Sequence, residues 1–497
     1  MPNEPIVGGD ILRLITAGMY DNPLVLFREY IQNAADSVAS RSQRLGSVQI
    51  DIDPLDGCLT ITDDGPGLSH DEALRRLVPI GNSSKDPTID RGLRGIGRLS
   101  GLAFAERIHF TTRSSSAEPV TRVSWSSRTL RDPRLQRVDA AAAIQECTTV
   151  QSITDGEWPE QFFQVAVEQV TRHAASTLLN RDAVRQYIAE VCPVPLSSSF
   201  PLASEVTNFL TQHAEHFALR VSLDGEETAI ERPFGEAIQL TDAYSATYES
   251  MEKCLIPRLD NDEPAAALWL AHTPYAGSIP RRLGVRGLRA RVGNIQVGSE
   301  DVFSHLFHET RFNGWCVGEV HITDSRIVPN GRRDYFEAGP HLRHLENHLG
   351  AVAHEISTRC RSASSHRNRL RQAEATIRQA HSAHELARSG YLLPEDAAAV
   401  LRCSSQQIAT IKDTLDELQI ALPASLAGEH SDLSDVERAL PDAIGPVGLD
   451  GLPPGSAATL KSAFAAIVDA MPADSALLMI QAILSRLSDR AASVDRA

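Results

Sequence analysis

Residues 26–36, LFREYIQNAAD, constrain this chain more than any other stretch. Glu29, Asn33 and Asp36 stand at i, i+4 and i+7, so a helix carries all three on one face. Phe27, Ile31, Ala34 and Val38 then share the opposite face, as a helix packed on a sheet requires. Two glycine motifs follow within seventy residues. In LTITDDGPGLSHDEALRRLVPIG, residues 59–81, Leu59–Thr62 form a short strand that ends in Asp63-Asp64-Gly65-Pro66-Gly67. The glycines flanking a proline make a stiff turn at the strand's end. In RGLRGIGRLSGLAFAERIHFTT, residues 91–112, Gly92, Gly95, Gly97 and Gly101 enter an apolar helix and then a strand. Such a turn presents unpaired N–H groups that suit phosphate. The P-loop pattern G-x-x-x-x-G-K-[ST] occurs nowhere.

Taken in order, E-x-x-x-N-x-x-D, D-x-G-x-G and G-x-x-G-x-G, each about thirty residues after the last, resemble the GHKL ATPases. That superfamily comprises gyrase B, the heat-shock protein 90 chaperones, histidine kinases and MutL, and its nucleotide site is the Bergerat fold. The resemblance implies an α+β chain whose ATPase domain is an α/β sandwich. It implies Glu29 as the general base on the attacking water and Asn33 as the ligand of Mg²⁺. Asp63 would accept a hydrogen bond from the adenine amino group. Gly67 would let the base approach the backbone, while Gly95 and Gly97 would cradle the phosphates. Asp36, Gly65, Gly92 and Ile96 complete the implied ATP site, Asp36 to orient its neighbours. A metal on the phosphates and a base on the water supply what phosphoryl transfer needs. Glutamate at 29 argues against a histidine kinase, which lacks this hydrolytic base.

Residues 80–95, IGNSSKDPTIDRGLRG, read as a lid over nucleotide, with Lys85 in reach of a phosphate. Further on, residues 265–275, 285–297 and 317–337 give strands and a polar loop. Their order is similar to the first part of the heat-shock protein 90 middle domain, where a loop arginine reaches the ATP γ-phosphate. Aligning Val328-Pro329-Asn330-Gly331-Arg332-Arg333-Asp334 on that loop places the equivalent at Arg333, with Arg332 one residue away as the alternative. A cation delivered this way would stabilise transition-state charge and make hydrolysis depend on docking.

A chain of 497 residues implies several domains. The expected division is 1–235 for the ATPase domain, closed by a hairpin-like stretch at 218–234, and 236–340 for a smaller α/β middle domain. A long helical segment, 341–390, follows, interrupted at Ser364-Ser365, and then a helical C-terminal region, 391–497. There the resemblance ends, and residues 393–415 carry a helix-turn-helix cadence beside the simpler reading of a short helical pair. Seven cysteines without C-x-x-C spacing argue against zinc and disulfides and for a reducing cytoplasm. There is no run of 18 apolar residues and no secretory signal at residues 1–16. The net charge of −16 disfavours a large nucleic-acid surface. The arginine-rich stretches 281–291 and 359–371 read as decoration of a sheet face and of a helix. The expected function is an ATP-hydrolysing clamp, a homodimer by resemblance, acting chaperone-like on protein clients. Its alternatives are a nucleic-acid clamp of the MutL or MORC sort, in genome maintenance or phage defence, and a nucleotide-sensing scaffold with little hydrolysis.

Overall fold

The computed structural model describes residues 8–9, 12, 20–39, 46–80, 97–135, 138–215, 217–417, 449 and 454–494. Residues 1–360 and 361–497 form two compact units. The first is built on a seven-stranded sheet of order β5-β4-β3-β6-β2-β1-β7. Its strands are β1 (Ser47–Asp53), β2 (Cys58–Asp63), β3 (Ala105–Arg113), β4 (Val120–Ser126), β5 (Thr148–Ile153), β6 (Phe162–Val170) and β7 (Arg220–Leu223). Neighbours run antiparallel except β1 and β7, which are parallel.

Helix α1 (Val25–Ala39) packs as its periodicity demands: Phe27, Ile31, Ala34 and Val38 are buried, while Glu29, Asn33 and Asp36 are half-buried. Alternation along β2 places Leu59, Ile61 and Asp63 on its buried side, so the hydrophobic pattern ends in a carboxylate. Helix α2 (His70–Leu77) starts at a capping box in which Ser69 and Glu72 satisfy each other's backbone N–H groups. A 3₁₀ helix, Gly97–Ala103, feeds β3. The remaining helices of this region are α3 (Ser127–Leu130), α4 (Ala140–Cys147), α5 (Arg172–Leu178), α6 (Arg181–Val191) and α7 (Ala203–His213). The 218–234 stretch folds back, with Ile230 N–H donating to the Val221 carbonyl at 2.7 Å, but it forms no second strand. Its strand, β7, instead joins the sheet edge beside β1.

A two-stranded ribbon, β8 (Ala237–Thr241) and β9 (Tyr244–Thr247), precedes a five-stranded sheet of order β10-β11-β14-β12-β13. Its members are β10 (Ser250–Pro257), β11 (Pro264–His272), β12 (Gly287–Val292), β13 (Ile295–Val297) and β14 (Val317–Ile322). The strands expected at 265–275, 285–297 and 317–337 are thus present. The arginine run 281–291 is not surface decoration throughout: Arg289 and Arg291 are buried. Arg291 Nε donates to Glu319 Oε1 at 2.5 Å, and Arg232 donates to both oxygens of the same carboxylate, at 2.6 and 2.5 Å. His321 and Trp269 reach Glu319 Oε2 at 3.0 and 3.3 Å. Burial opposes the charge of Glu319, but Arg232 and Arg291 hold its carboxyl well below the usual glutamate value. Burial brings the Arg291 guanidinium down to about 10.

Helix α8 (Pro340–Arg388) is one continuous 49-residue helix. Ser364 and Ser365 do not interrupt it: serine is only a mild helix disfavourer, whereas a break needs proline or glycine. Helical spacing of Leu342, Leu345, Leu349, Val352 and Ile356 makes a packing stripe, in which Val352 is half-buried and the other four are buried. In the second unit, α9 (Pro394–Glu417) is a single 24-residue helix, so neither a helix-turn-helix nor a short helical pair occupies 393–415. Beyond Pro394 at its first position, no glycine or proline lies in it to make the turn. Helices α10 (Pro454–Ala470) and α11 (Ala473–Val494) contribute Phe464, Leu477 and Ile480 to a core shared with Leu386, Leu392 and Leu401. All seven cysteines are free.

Candidate nucleotide site

The site assembles on α1, where Glu29 projects towards Gly97. A Cβ added at Gly97 would lie 2.1 Å from Glu29 Oε2, so only glycine lets the start of the 3₁₀ helix come this close to the carboxylate. Arg28 holds the other oxygen: its Nη2 and Nε donate to Glu29 Oε1 at 2.9 and 3.2 Å. Both side chains are largely buried, at 7% and 13% exposure, so the pair is weakly screened. Burial opposes the charge of Arg28, but Glu29 more than offsets this and leaves the guanidinium above its ordinary value. Sequence reading passed over Arg28, because an arginine beside a glutamate in a helix ordinarily points elsewhere.

Arg28 also donates to the main-chain carbonyl of Arg332, 304 residues later, at 3.3 Å. The loop aligned on the γ-phosphate-contacting loop therefore lies against the helix that carries Glu29. Its two arginines diverge. Arg332 is 56% exposed and faces Asp21 at 3.5 Å. Arg333 turns inward: its Nη1 is sealed from solvent, and burial pushes the guanidinium below its ordinary value. Glu29 and Asp36 pull that value back up, and Arg28 pushes it further down. The backbone makes this divergence, because Arg333 adopts φ +56°, a left-handed conformation uncommon outside glycine and asparagine. The turn is closed by Arg333 N–H to the Asn330 carbonyl at 3.0 Å and Asn330 N–H to the Tyr335 carbonyl at 2.9 Å.

Asp63 lies at the other end of α1. It is 6% exposed, and its Oδ1 accepts the Gly65 N–H at 3.0 Å. A Cβ at Gly65 would sit 2.4 Å from the Ser37 hydroxyl of α1 and 2.6 Å from Asp63 Oδ1. Gly67 also meets a local packing requirement. It has φ +64°, and a Cβ there would lie 2.0 Å from the Arg113 carbonyl and 2.8 Å from that of Phe162. The turn is thus wedged against the ends of β3 and β6, and Thr112 fastens it by accepting the Leu68 N–H at 2.8 Å.

Lys85, Gly92, Gly95 and Ile96, with the lid reading of 80–95, lie outside the described residues apart from Ile80. Arg98, just beyond them, donates to the Pro79 carbonyl, and burial lowers its guanidinium to about 10. Among the described residues no three His, Cys, Asp or Glu side chains are grouped to hold a metal ion. Asn33, half-buried on the Glu29 face, offers a neutral amide oxygen, a hard donor that suits Mg²⁺ arriving with phosphates rather than a resident metal.

Residues 24–154 match the family model described as histidine kinase-, DNA gyrase B-, and HSP90-like ATPase, which identifies them as a GHKL ATPase domain. The chain is 32% identical over 141 residues to the chaperone protein HtpG of Polaromonas sp. (strain JS666), covering 24% of this chain and 22% of that protein. It is 26% identical over 156 residues to HtpG of Albidiferax ferrireducens, covering 27% and 24%. It is also 26% identical over 152 residues to HtpG of Acinetobacter baylyi, covering 26% and 24%. The matches thus span about a quarter of the length of these relatives. No helix among the described residues is long and apolar enough to cross a membrane.

Proposed function

We propose that this chain, a GHKL ATPase over residues 24–154, hydrolyses ATP to ADP and phosphate as a molecular clamp acting on protein clients. One observation carries the reading: Glu29 and Gly97 meet the loop of Arg333, 304 residues downstream in sequence, against one face of α1. Glu29 is the group that orients and deprotonates the attacking water. Arg28 fixes its carboxylate, leaving Oε2 towards Gly97. Arg333 meets charge developing on the γ-phosphate; its burial among acidic neighbours gives it the electrostatic weight an exposed arginine lacks. Asp63, aligned by Gly65, accepts from the adenine amino group. Asn33 would hold Mg²⁺, which neutralises phosphate charge when bound.

In this reading 1–235 is the ATPase domain, 236–340 the middle domain that brings Arg333, 341–390 a helical segment and 391–497 a helical domain. Clients are proteins, since the relatives are named chaperones. A cytoplasmic homodimer fits the free cysteines and the family resemblance. The test is ATP turnover and nucleotide binding measured on the unmodified protein beside Glu29→Ala. Binding retained with turnover lost is the expected result. Turnover indifferent to Glu29→Ala would refute the mechanism. ATP-dependent suppression of client aggregation supports the chaperone role, whereas DNA binding that falls steeply with salt would favour a nucleic-acid clamp.

A further inference from the structure

The arginine run 281–291 contains a residue that nucleotide chemistry leaves unassigned. Arg289 is buried on β12, and its Nη1 donates to two acceptors: Glu190 Oε2 on α6 at 3.1 Å and Gln296 Oε1 on β13 at 2.8 Å. Gln296, also buried, passes the contact on, its Nε2 donating to the Gly298 carbonyl at 3.0 Å. Gly298 N–H in turn donates to the Arg333 carbonyl at 2.9 Å. Gly298 has φ +70°, and a Cβ there would lie 2.7 Å from the Asp334 carbonyl, so the Arg333 turn sits directly on it.

This chain of contacts has one polarity. A guanidinium only donates and a carbonyl only accepts, so the Gln296 amide has a single satisfactory orientation. Neither glutamate nor an apolar residue can serve both partners. At its other end the relay reaches α6, which packs against α1, the helix that carries Glu29 and the Arg28 that grips it. Glu29 and Arg333 are therefore registered on one another from two directions: directly, through Arg28 to the Arg332 carbonyl, and around the ring through Glu190, Arg289, Gln296 and Gly298.

We propose that Arg289 and Gln296 are positioning residues for Arg333, a relay that sets the height of its turn over Glu29. The proposal rests on the reading of Arg333 as the γ-phosphate cation. Strain makes such support necessary: a left-handed arginine persists only where its surroundings over-determine it.

The test is a double-mutant cycle on the full chain, measuring single-turnover ATP hydrolysis, nucleotide affinity and the thermal melt. Gln296→Glu keeps the contact to Arg289 but turns a carboxylate oxygen against the Gly298 carbonyl. Its hydrolysis should fall about tenfold or more, as a small misplacement of a transition-state group does, with ATP affinity unchanged. In an Arg333→Ala background the same substitution should cost nothing further. An equal loss in both backgrounds, or no loss in the unmodified one, overturns the relay while leaving the role of Arg333 intact. If Arg333→Ala alone leaves hydrolysis unchanged, the reading of Arg333 fails and the relay with it. Gln296→Asn, which keeps the amide and shortens its reach, gives the same comparison if the melt shows Gln296→Glu unfolded.

Discussion

Replacing Glu319 by glutamine tests the electrostatic logic of the five-stranded sheet without changing its shape. Oε1 accepts from Arg291 and Arg232, and Oε2 accepts from Arg232, His321 and Trp269. Whichever way the new amide turns, its NH₂ meets a guanidinium donor, and two buried arginines lose their counter-charge. Breaking a buried pair from one side costs about 3–5 kcal/mol, a third or more of the stability of a typical domain. With a urea dependence of about 2 kcal/mol per M, the midpoint should drop by about 2 M. Trp269, one of four tryptophans, donates to Glu319, so intrinsic fluorescence follows the transition. The charge also has a pH signature. The folded pKa of Glu319 lies below the unfolded value, so its stabilisation is present above the ordinary 4.5 and lost as pH falls through the folded value. Glu319→Gln should remove that acid-side contribution. A urea midpoint within about 0.3 M of the unmodified protein would refute the reasoning, since it corresponds to well under 1 kcal/mol.

Two further substitutions probe the nucleotide site. Asp63→Asn removes the carboxylate that Gly65 aligns, and ATP binding measured by calorimetry should disappear while the melting temperature shifts little; retained binding would remove Asp63 from the site. Gly97→Ala drives a methyl into Glu29 Oε2 and should cut turnover at least about a hundredfold through displacement of the base, with turnover unaltered as the opposing result.

The local frame of the candidate site was legible because its signals are local. The apolar face Phe27, Ile31, Ala34 and Val38 follows helical period, and Asp63 follows the strand alternation of Leu59 and Ile61. What escaped is held by pairing across long separations. Nothing near Arg289 or Arg291 announces burial, because their carboxylates, Glu190 and Glu319, come from α6 and β14. Arg28 was missed for the opposite reason: its partner is its neighbour, and only the approach of the Arg332 loop explains why the two side chains stay together. The alignment pointed to Arg333 with Arg332 as its alternative, and nothing local in the sequence announces the left-handed backbone at Arg333 where the two side chains diverge. Ser364-Ser365 misled because weak local preference was weighed against a long helix whose stripe is buried.

The left-handed backbone at Arg333 bears on how this turn can vary. Glycine or asparagine would occupy φ +56° with less strain, so a stability screen of position 333 is biased towards residues that carry no cation. On the proposed role of Arg333, stabilised variants drawn from such a screen would arrive already disarmed, their gain in melting temperature and their lost turnover being the same event. On that proposed role, position 333 is one where consensus by comfort and consensus by activity part company, and a library selected on folding alone would erase the arginine while keeping the turn.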